Sequence, residues 1–189
     1  MSETDRERWN AKYADKQVAS VVQPNRWLVE NLASLPRGAA LDLACGLGHN
    51  AAWLALQGFQ AEGWDVSTVG LRLAEQLAEA NQAEVSWREC DLETVAWPRE
   101  TFDVIVCSSY YLPPSSRNGI VAALKSGGML VYETFTRDHV QQPGSHCRNP
   151  AYMLEPNEPL RWFDGLRIRR YRDAVIGGKA VASLLAEKT

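Results

Sequence analysis

The sequence has few of the features that mark secreted, membrane-spanning or nucleic-acid-binding proteins. Its four cysteines form no Cys-x-x-Cys pair and no regular metal spacing, which is typical of a reducing compartment. No apolar run approaches the roughly 18 residues of a membrane span, and the charged N-terminal stretch lacks the apolar core of a signal peptide. A net charge of −3 disfavours a broad nucleic-acid face. We therefore expect a cytoplasmic protein with no metal, membrane or nucleic-acid partner.

The remaining composition is that of an ordinary globular domain. The 189 residues are 46% hydrophobic and 23% charged, enough for one sizeable core and too few for two ordinary domains. Short apolar runs alternate with helix-like segments, which predicts a doubly wound α/β sheet. We expect a single domain over residues 1–189, in which residues 1–24 cover the ligand and residues 136–156 form a lid-like loop.

A glycine turn after a short apolar strand is the most informative segment. Residues 41–51 read LDLACGLGHNA, so the strand runs through Gly46-x-Gly48 into a helix predicted over Asn50 to Gln57. Glycine and the unpaired N–H groups of a helix start allow a nucleotide-like ligand to approach the backbone closely. The spacing also fits the dinucleotide fingerprint, with Asp65 placed for a ribose hydroxyl, so NAD is one candidate.

The charge of Asp42, at the end of this strand, separates the candidate cofactors. A dinucleotide would place an anionic pyrophosphate over the turn, where the carboxylate would repel it by a few kcal/mol at an effective dielectric of about 20. S-adenosylmethionine instead carries a cationic amino group and a sulfonium there, so the carboxylate would attract it. Asp42 therefore favours S-adenosylmethionine over NAD.

Three further strands end in residues suited to such a cofactor. Residues 60–65 end at Asp65, and residues 85–89 lead to Asp91, which is placed for an adenine amino group beside Leu92. Residues 102–107 form an almost unbroken apolar run, typical of a central parallel strand, and their end should reach the cleft. A Thr4-x-x-Glu7 capping box predicts a helix over residues 4–16. Trp9 and Tyr13 lie four residues apart on one face of this helix, which is expected to cover the cofactor. The candidate cofactor-binding residues are Trp9, Tyr13, Asp42, Ala44, Cys45, Gly46, Gly48, Asn50, Asp65, Val66, Cys90, Asp91, Leu92, Cys107 and Ser108.

Taken together, the four motifs resemble those of a small class I S-adenosylmethionine-dependent methyltransferase, over roughly Asn25 to Lys188. The resemblance implies a Rossmann-like seven-stranded sheet of order 3-2-1-4-5-7-6 with its last strand antiparallel and helices on both faces. It also implies that the glycine turn holds the methionine part, Asp65 the ribose, and Asp91 with Leu92 the adenine.

The flanking segments are similar to those of the tellurite-resistance and thiopurine-type branch of that family. The similarity lies in residues 9–13 (WNAKY), 24–28 (PNRWL) and 149–160, and it implies a thiol, selenol or chalcogen oxyanion as acceptor. Ala44 replaces a glycine common among relatives, and His49 stands where arginine is frequent. Residues 173–179 lack the His–Arg pair implied to act on tellurite, which argues against tellurite itself.

Methyl transfer depends mainly on positioning the reactants, so few residues are required to act chemically. His49, beside the turn, is the predicted base or acceptor-orienting residue, with His139 and His146 as runners-up. Tyr110 and Tyr111 are predicted to face the reacting methyl group. Arg26 and Arg148 are predicted to bind an anionic group on a small-molecule acceptor. The cysteines near the cleft are expected to fill space, with a reactive thiol site as the alternative.

Four arginines in the predicted strand 166–172 are expected to divide between its two faces. Strict alternation would place Arg170 and Arg172 on one face and Arg167 and Arg169 on the other, as on a solvated edge. The sequence thus predicts a methyltransferase acting on a small molecule. An NAD-dependent oxidoreductase and a non-catalytic S-adenosylmethionine-binding regulatory module are the alternatives.

Overall fold

The computed structural model describes residues 3–144, 149–163 and 165–189. Within these residues helices and strands alternate as α1 (Glu3–Ala14), α2 (Arg26–Asn31), β1 (Ala39–Leu43), α3 (His49–Leu56), β2 (Gln60–Asp65), α4 (Thr68–Ala80), β3 (Val85–Glu89), β4 (Phe102–Ser108), α5 (Pro114–Ala123), β5 (Leu124–Phe135), β6 (Leu166–Ile176) and β7 (Lys179–Lys188). Short 3-10 helices lie at Leu32–Ser34, Arg137–Gln141, Pro150–Tyr152 and Glu158–Arg161.

The seven strands form one sheet in the order β3-β2-β1-β4-β5-β7-β6. The pairs from β3 to β5 are parallel, and β7 runs antiparallel to both of its neighbours. This confirms the predicted strand order and the antiparallel last strand. Because β1 and β4 lie next to each other at the centre, their carboxyl ends open the crevice where sheets of this kind bind ligands.

Hydrophobic packing covers both faces of the sheet. One core includes Leu43, Ile105 and Tyr132, and the core on the opposite face includes Val106 and Val131. Successive residues of a central strand point to opposite faces of the sheet, and both sets are apolar here, as the unbroken apolar run at 102–107 predicted. In the described part of the chain, no helix combines the length and the apolar character that crossing a membrane requires.

Several helix boundaries differ from the predictions for local reasons. Helix α1 already begins at Glu3, so Thr4 lies inside it and cannot be the predicted cap. Asn25 is the N-cap of α2, because its Oδ1 accepts from the N–H groups of Trp27 (2.8 Å) and Leu28 (3.2 Å). Helix α3 starts one residue early, at His49, because Gly48 adopts a left-handed φ of 77° at its N-cap.

The arginine strand also differs from prediction, because a β-bulge interrupts it. Arg167 pairs with Glu187 and Arg170 with Leu185, so the residue between Ile168 and Arg170 is extra and Arg167 lies on the same face as Arg170. The predicted division into two pairs is therefore wrong. β6 is nevertheless the edge strand, and Arg167, Arg169 and Arg170 are exposed, as expected of a solvated edge. Arg170 and Arg172 also lie over the ring of Trp27, at 5.1 and 4.5 Å from its centroid.

Candidate cofactor and acceptor site

The glycine turn between β1 and α3 bends through three left-handed residues. Ala44, Gly46 and Gly48 have φ values of 52°, 54° and 77°. A Cβ at Gly48 would lie 2.6 Å from the Cβ of Ala74, so this position requires glycine for space as well as for conformation. Ala44 adopts the same region despite its Cβ, which stores local strain of about 1–2 kcal/mol. The turn brings its backbone to the carboxyl edge of the sheet.

Asp65, the last residue of β2, fixes the shape of this turn. Its Oδ2 accepts from the N–H of Gly46 at 2.8 Å, and its Oδ1 accepts from the N–H of Ser67 at 2.8 Å. The side chain is buried, and burial raises its pKa despite these two hydrogen bonds. Each carboxylate oxygen keeps a second lone pair, so both hold the loop and remain able to accept from a ribose hydroxyl.

Asp42 presents a buried carboxylate with one unengaged oxygen. Its Oδ1 accepts from the Asn50 amide at 3.3 Å, whereas its buried Oδ2 has no hydrogen-bond partner in the described structure. Burial raises the pKa of Asp42 to about 7, with the Asn50 hydrogen bond opposing the rise. An unsatisfied buried acceptor is costly, and a cationic donor would remove the cost.

The strand-end cysteines are neutral thiols. Burial raises the pKa of Cys45 and Cys107 well above the usual value, and the pKa of Cys90 to about 11. A neutral, enclosed thiol is a poor nucleophile and a poor metal ligand, which favours the predicted space-filling role. No three His, Cys, Asp or Glu side chains among the described residues are grouped to hold a metal ion.

The residues predicted to read adenine follow β3. Leu92 is fully buried, and Asp91 opens a turn in which its Oδ1 accepts from the N–H of Glu93 at 2.8 Å. Ser116, on α5, holds this segment by donating to the carbonyl of Leu92 at 2.7 Å. The acid and the apolar residue thus lie next to the carboxyl ends of β3 and β2.

Helix α1 lies over the glycine turn. The hydroxyl of Tyr13 would be 2.7 Å from a Cβ on Gly46, and its ring 3.0 Å from a Cβ on Gly70, so it touches both backbones. Trp9 stacks on Tyr13 with ring centroids 5.7 Å apart. Asn10 accepts from the hydroxyl of Ser67 at 2.7 Å and anchors the helix to the start of α4.

The helix also reaches the segment after β5. The Arg8 guanidinium lies 5.5 Å from the ring centroid of Tyr152 and donates to its hydroxyl at 3.5 Å. Thr136 and Leu154 form a parallel β-bridge. Helix α1 therefore contacts Tyr152, a described residue of the segment predicted to be lid-like.

The end of β4 turns sharply at the crevice. Ser108 is half-buried, and Ser109 takes a left-handed φ of 57° while its N–H donates to the carbonyl of Glu133 at 2.8 Å. Tyr110 is largely buried, and burial raises the pKa of its phenol. Tyr111 donates to Glu158 at 2.9 Å and packs edge-on against Trp162, so its hydroxyl is engaged away from the strand end.

Two of the three histidines, His49 and His139, are among the described residues. His49 is half-buried, its Nδ1 accepts from the N–H of Gln23 at 3.2 Å, and burial lowers its pKa. This hydrogen bond assigns the ring proton to Nε2. His139 is 5% exposed, stacks on Phe135 with centroids 4.3 Å apart, and its Nδ1 has no partner among the described residues.

The two predicted anion-binding arginines have different outcomes. Arg26 is 74% exposed and forms an ion pair with Glu30 at 2.7 Å, at the start of α2 beside Asn25. Arg148, His146 and Cys147 lie outside the described residues. Sequence reasoning passed over Glu133, a largely buried acid on β5 that accepts from Asn25; an acid in an otherwise apolar predicted strand was the available signal.

A methyltransferase domain family matches residues 40–128, which contain the glycine turn, Asp65 and Asp91. This match and the fold together support a class I S-adenosylmethionine-dependent methyltransferase, as the motifs predicted. The chain is 26% identical to the ubiquinone biosynthesis O-methyltransferase of Coxiella burnetii (strain Dugway 5J108-111) in an alignment of 161 residues that covers 74% of this chain and 68% of that one.

Solved structures share its fold. TehB from Haemophilus influenzae superposes with a TM-score of 0.70 at 19% identity, covering 97% of this chain and 67% of that one. An S-adenosylmethionine-dependent methyltransferase of Methanosarcina mazei superposes with a TM-score of 0.69 at 18% identity, covering 88% and 99%.

S-adenosylmethionine, not NAD, is therefore the cofactor of this methyltransferase, and the described residues fit it. The unengaged buried oxygen of Asp42 matches a cationic amino group. Asp65, on the next strand, has carboxylate oxygens that are able to accept from hydroxyls. Its charge also raises the pKa of Asp42, so the two acids make the crevice electronegative, which suits a sulfonium and disfavours a pyrophosphate.

Proposed function

We propose that this methyltransferase methylates a hydroxyl oxygen of a small molecule. The observation that carries the proposal is the likeness to O-methyltransferases across three quarters of the chain. This acceptor replaces the thiol, selenol or chalcogen oxyanion that the flanking segments favoured. Sulfur and chalcogen acceptors remain outcomes of the test below.

The cofactor-binding residues divide into three groups in this proposal. Asp42 binds the amino group, Asp65 binds the ribose hydroxyls, and Asp91 with Leu92 binds the adenine. Tyr13 covers the methionine part from α1. When bound, the cofactor supplies an activated methyl group for in-line displacement by the acceptor oxygen.

The histidines receive different roles because of their hydrogen bonds. His49 carries its proton on Nε2, so it donates to the acceptor oxygen and orients it. His139 has a neutral ring, since burial and nearby Lys179 lower its pKa, and its Nδ1 is unengaged in the described structure. A neutral hydroxyl must lose its proton during transfer, and His139 is the ring able to accept it.

Labelled methyl transfer to an acceptor panel tests the proposal. The enzyme is incubated with methyl-labelled S-adenosylmethionine and a catechol, an aliphatic alcohol, a thiol or tellurite. We expect label in an oxygen acceptor, and a His139→Gln variant that loses about 10²–10⁴-fold in kcat. Arg99→Gln, an exposed change next to the amino end of β4, is the matched control. Label only in the thiol or in tellurite would contradict O-methylation.

A further inference from the structure

A continuous row of hydrogen bonds links Asp42 to the final hairpin of the sheet. Asp42 accepts from the Asn50 side-chain amide at 3.3 Å, and the Asn50 oxygen accepts from the backbone N–H of Asn25 at 2.8 Å. The Asn25 amide then donates to Glu133 Oε1 at 2.8 Å. Asn25 uses its backbone N–H for Asn50 and its side-chain amide for Glu133, and Asn50 likewise uses one atom for each neighbour, so no hydrogen bond of the row competes with another.

Glu133 is the point at which this row is anchored. Its Oε2 accepts from the hydroxyl of Ser183 on β7 at 2.5 Å and lies 3.5 Å from the guanidinium of Arg172 on β6. Its side chain is only 12% exposed, so its partners replace most of its hydration. Glu133 therefore contacts the β6–β7 hairpin through Oε2 and Asn25 through Oε1.

The backbone of Glu133 reaches the crevice independently. Its carbonyl accepts from the N–H of Ser109 at 2.8 Å, and Ser109 is the left-handed residue at which β4 ends. One residue thus contacts the strand end where the acceptor approaches and the row that leads to the cofactor carboxylate. Strained backbone of this kind is concentrated at functional sites.

The row determines which oxygen of Asp42 is available. Because Asn50 occupies Oδ1, the unengaged Oδ2 is the atom left for a ligand. If Asn25 moved, Asn50 could turn, and the carboxylate would lose one of the two contacts that orient it, the other being the backbone N–H of Ala51. A ligand-binding side chain that is not held in one orientation binds its ligand more weakly and positions it less well for the reaction.

We propose that Glu133 is a positioning residue that orients Asp42 toward the cofactor's amino group through Asn25 and Asn50. The proposal rests on the proposed binding of that amino group by Asp42. It assigns the β6–β7 hairpin a role in cofactor binding, although neither strand lies next to the glycine turn in the sheet.

A double-mutant cycle on the full chain tests this, with S-adenosylhomocysteine as the titrant in calorimetry. We expect Glu133→Ala to raise the dissociation constant about tenfold, and Asn50→Ala to do the same. The double variant should bind no more weakly than the weaker single variant, because both changes break the same row. Additive effects, or an unchanged dissociation constant in Glu133→Ala, would overturn the proposal.

Two further variants separate positioning from general stability. Glu133→Gln keeps an oxygen for Asn25 and should restore binding to within about threefold of the unmodified chain. Glu30→Gln removes another carboxylate that pairs with Arg172, at 2.9 Å, but lies outside the row, and should leave binding unchanged. A glutamine variant as weak as the alanine variant would contradict the hydrogen-bonded route, as would equal weakening by Glu30→Gln.

If Glu133→Ala does not fold, Ser183→Ala takes its place in the cycle. This change removes one donor from Glu133, and its effect must likewise be non-additive with Asn50→Ala. An unchanged or additive result would again overturn the proposal. If the unmodified chain takes up no S-adenosylhomocysteine, the proposed binding by Asp42 fails instead, so the two failures are distinguishable.

Discussion

The raised pKa of Asp42 predicts that cofactor affinity depends on pH. In the free enzyme this carboxyl titrates at about 7. Binding a cationic amino group next to Oδ2 favours the ionised form and lowers that pKa, so the complex holds fewer protons than the free enzyme. Uptake of the cofactor must therefore release protons near and below pH 7, and affinity must rise with pH through this range.

The size of the effect follows from the same titration. The pKa of Asp42 is about 7 in the free enzyme and much lower in the complex. The dissociation constant therefore rises about fivefold from pH 7 to pH 6, and about tenfold again from pH 6 to pH 5. On the alkaline side the cofactor's own α-amino group loses its proton at about 7.7–8.0, which weakens binding again. Asp65, whose pKa is also raised, acts in the same direction as Asp42.

Calorimetric titration with S-adenosylhomocysteine between pH 5.5 and 8.5, in buffers of different ionisation enthalpy, measures both affinity and proton release. Asp42→Asn is the control, because it keeps the shape and removes the titration. We expect this variant to bind about 10–100-fold more weakly at pH 7, the value of a charged hydrogen bond, and to lose most of the acidic decline. A pH-independent affinity, or an identical profile in the variant, would refute the reasoning.

Three other residues give separate predictions. Asp65→Ala should weaken S-adenosylhomocysteine binding by about 1–3 kcal/mol in the same titration; an unchanged affinity would show that the ribose lies elsewhere. Ala44→Gly should leave the free energy of unfolding in urea unchanged or raise it by up to about 1 kcal/mol, because left-handed strain is relieved against a more flexible unfolded chain, whereas a clear loss would mean that the methyl contacts dominate. Tyr13→Ala should speed dissociation about tenfold in stopped-flow measurements, since an aromatic cover is removed; slower dissociation would show that Tyr13 competes with the ligand.

The sheet order was predictable because the motifs resemble those of a known family, and the cofactor because the charge of Asp42 agrees with that resemblance. Asp42, Asp65 and Asp91 lie at or just after the ends of β1, β2 and β3, and a parallel sheet brings those ends to one edge. The glycine spacing then specifies a backbone conformation that other residues reach only with strain, as Ala44 does.

What sequence reasoning could not reach depends on contacts between distant segments. The β-bulge beside Arg170 places Arg167 on the same face of the strand as Arg170. The sequence of charged residues contains no signal that predicts such a bulge. Glu133 and Asn25 are 108 residues apart, and only folding brings their side chains to 2.8 Å. The orientation of His49 likewise depends on a backbone N–H from a loop, which spacing does not specify.

The central claim is that an electronegative crevice at the carboxyl edge of this sheet binds S-adenosylmethionine. Titration of the folded chain with S-adenosylmethionine, and with NAD under the same conditions, tests it directly. The account predicts saturable one-to-one uptake of S-adenosylmethionine and none of NAD at equal concentrations. Uptake of NAD instead, or no uptake of either by the folded chain, would contradict it.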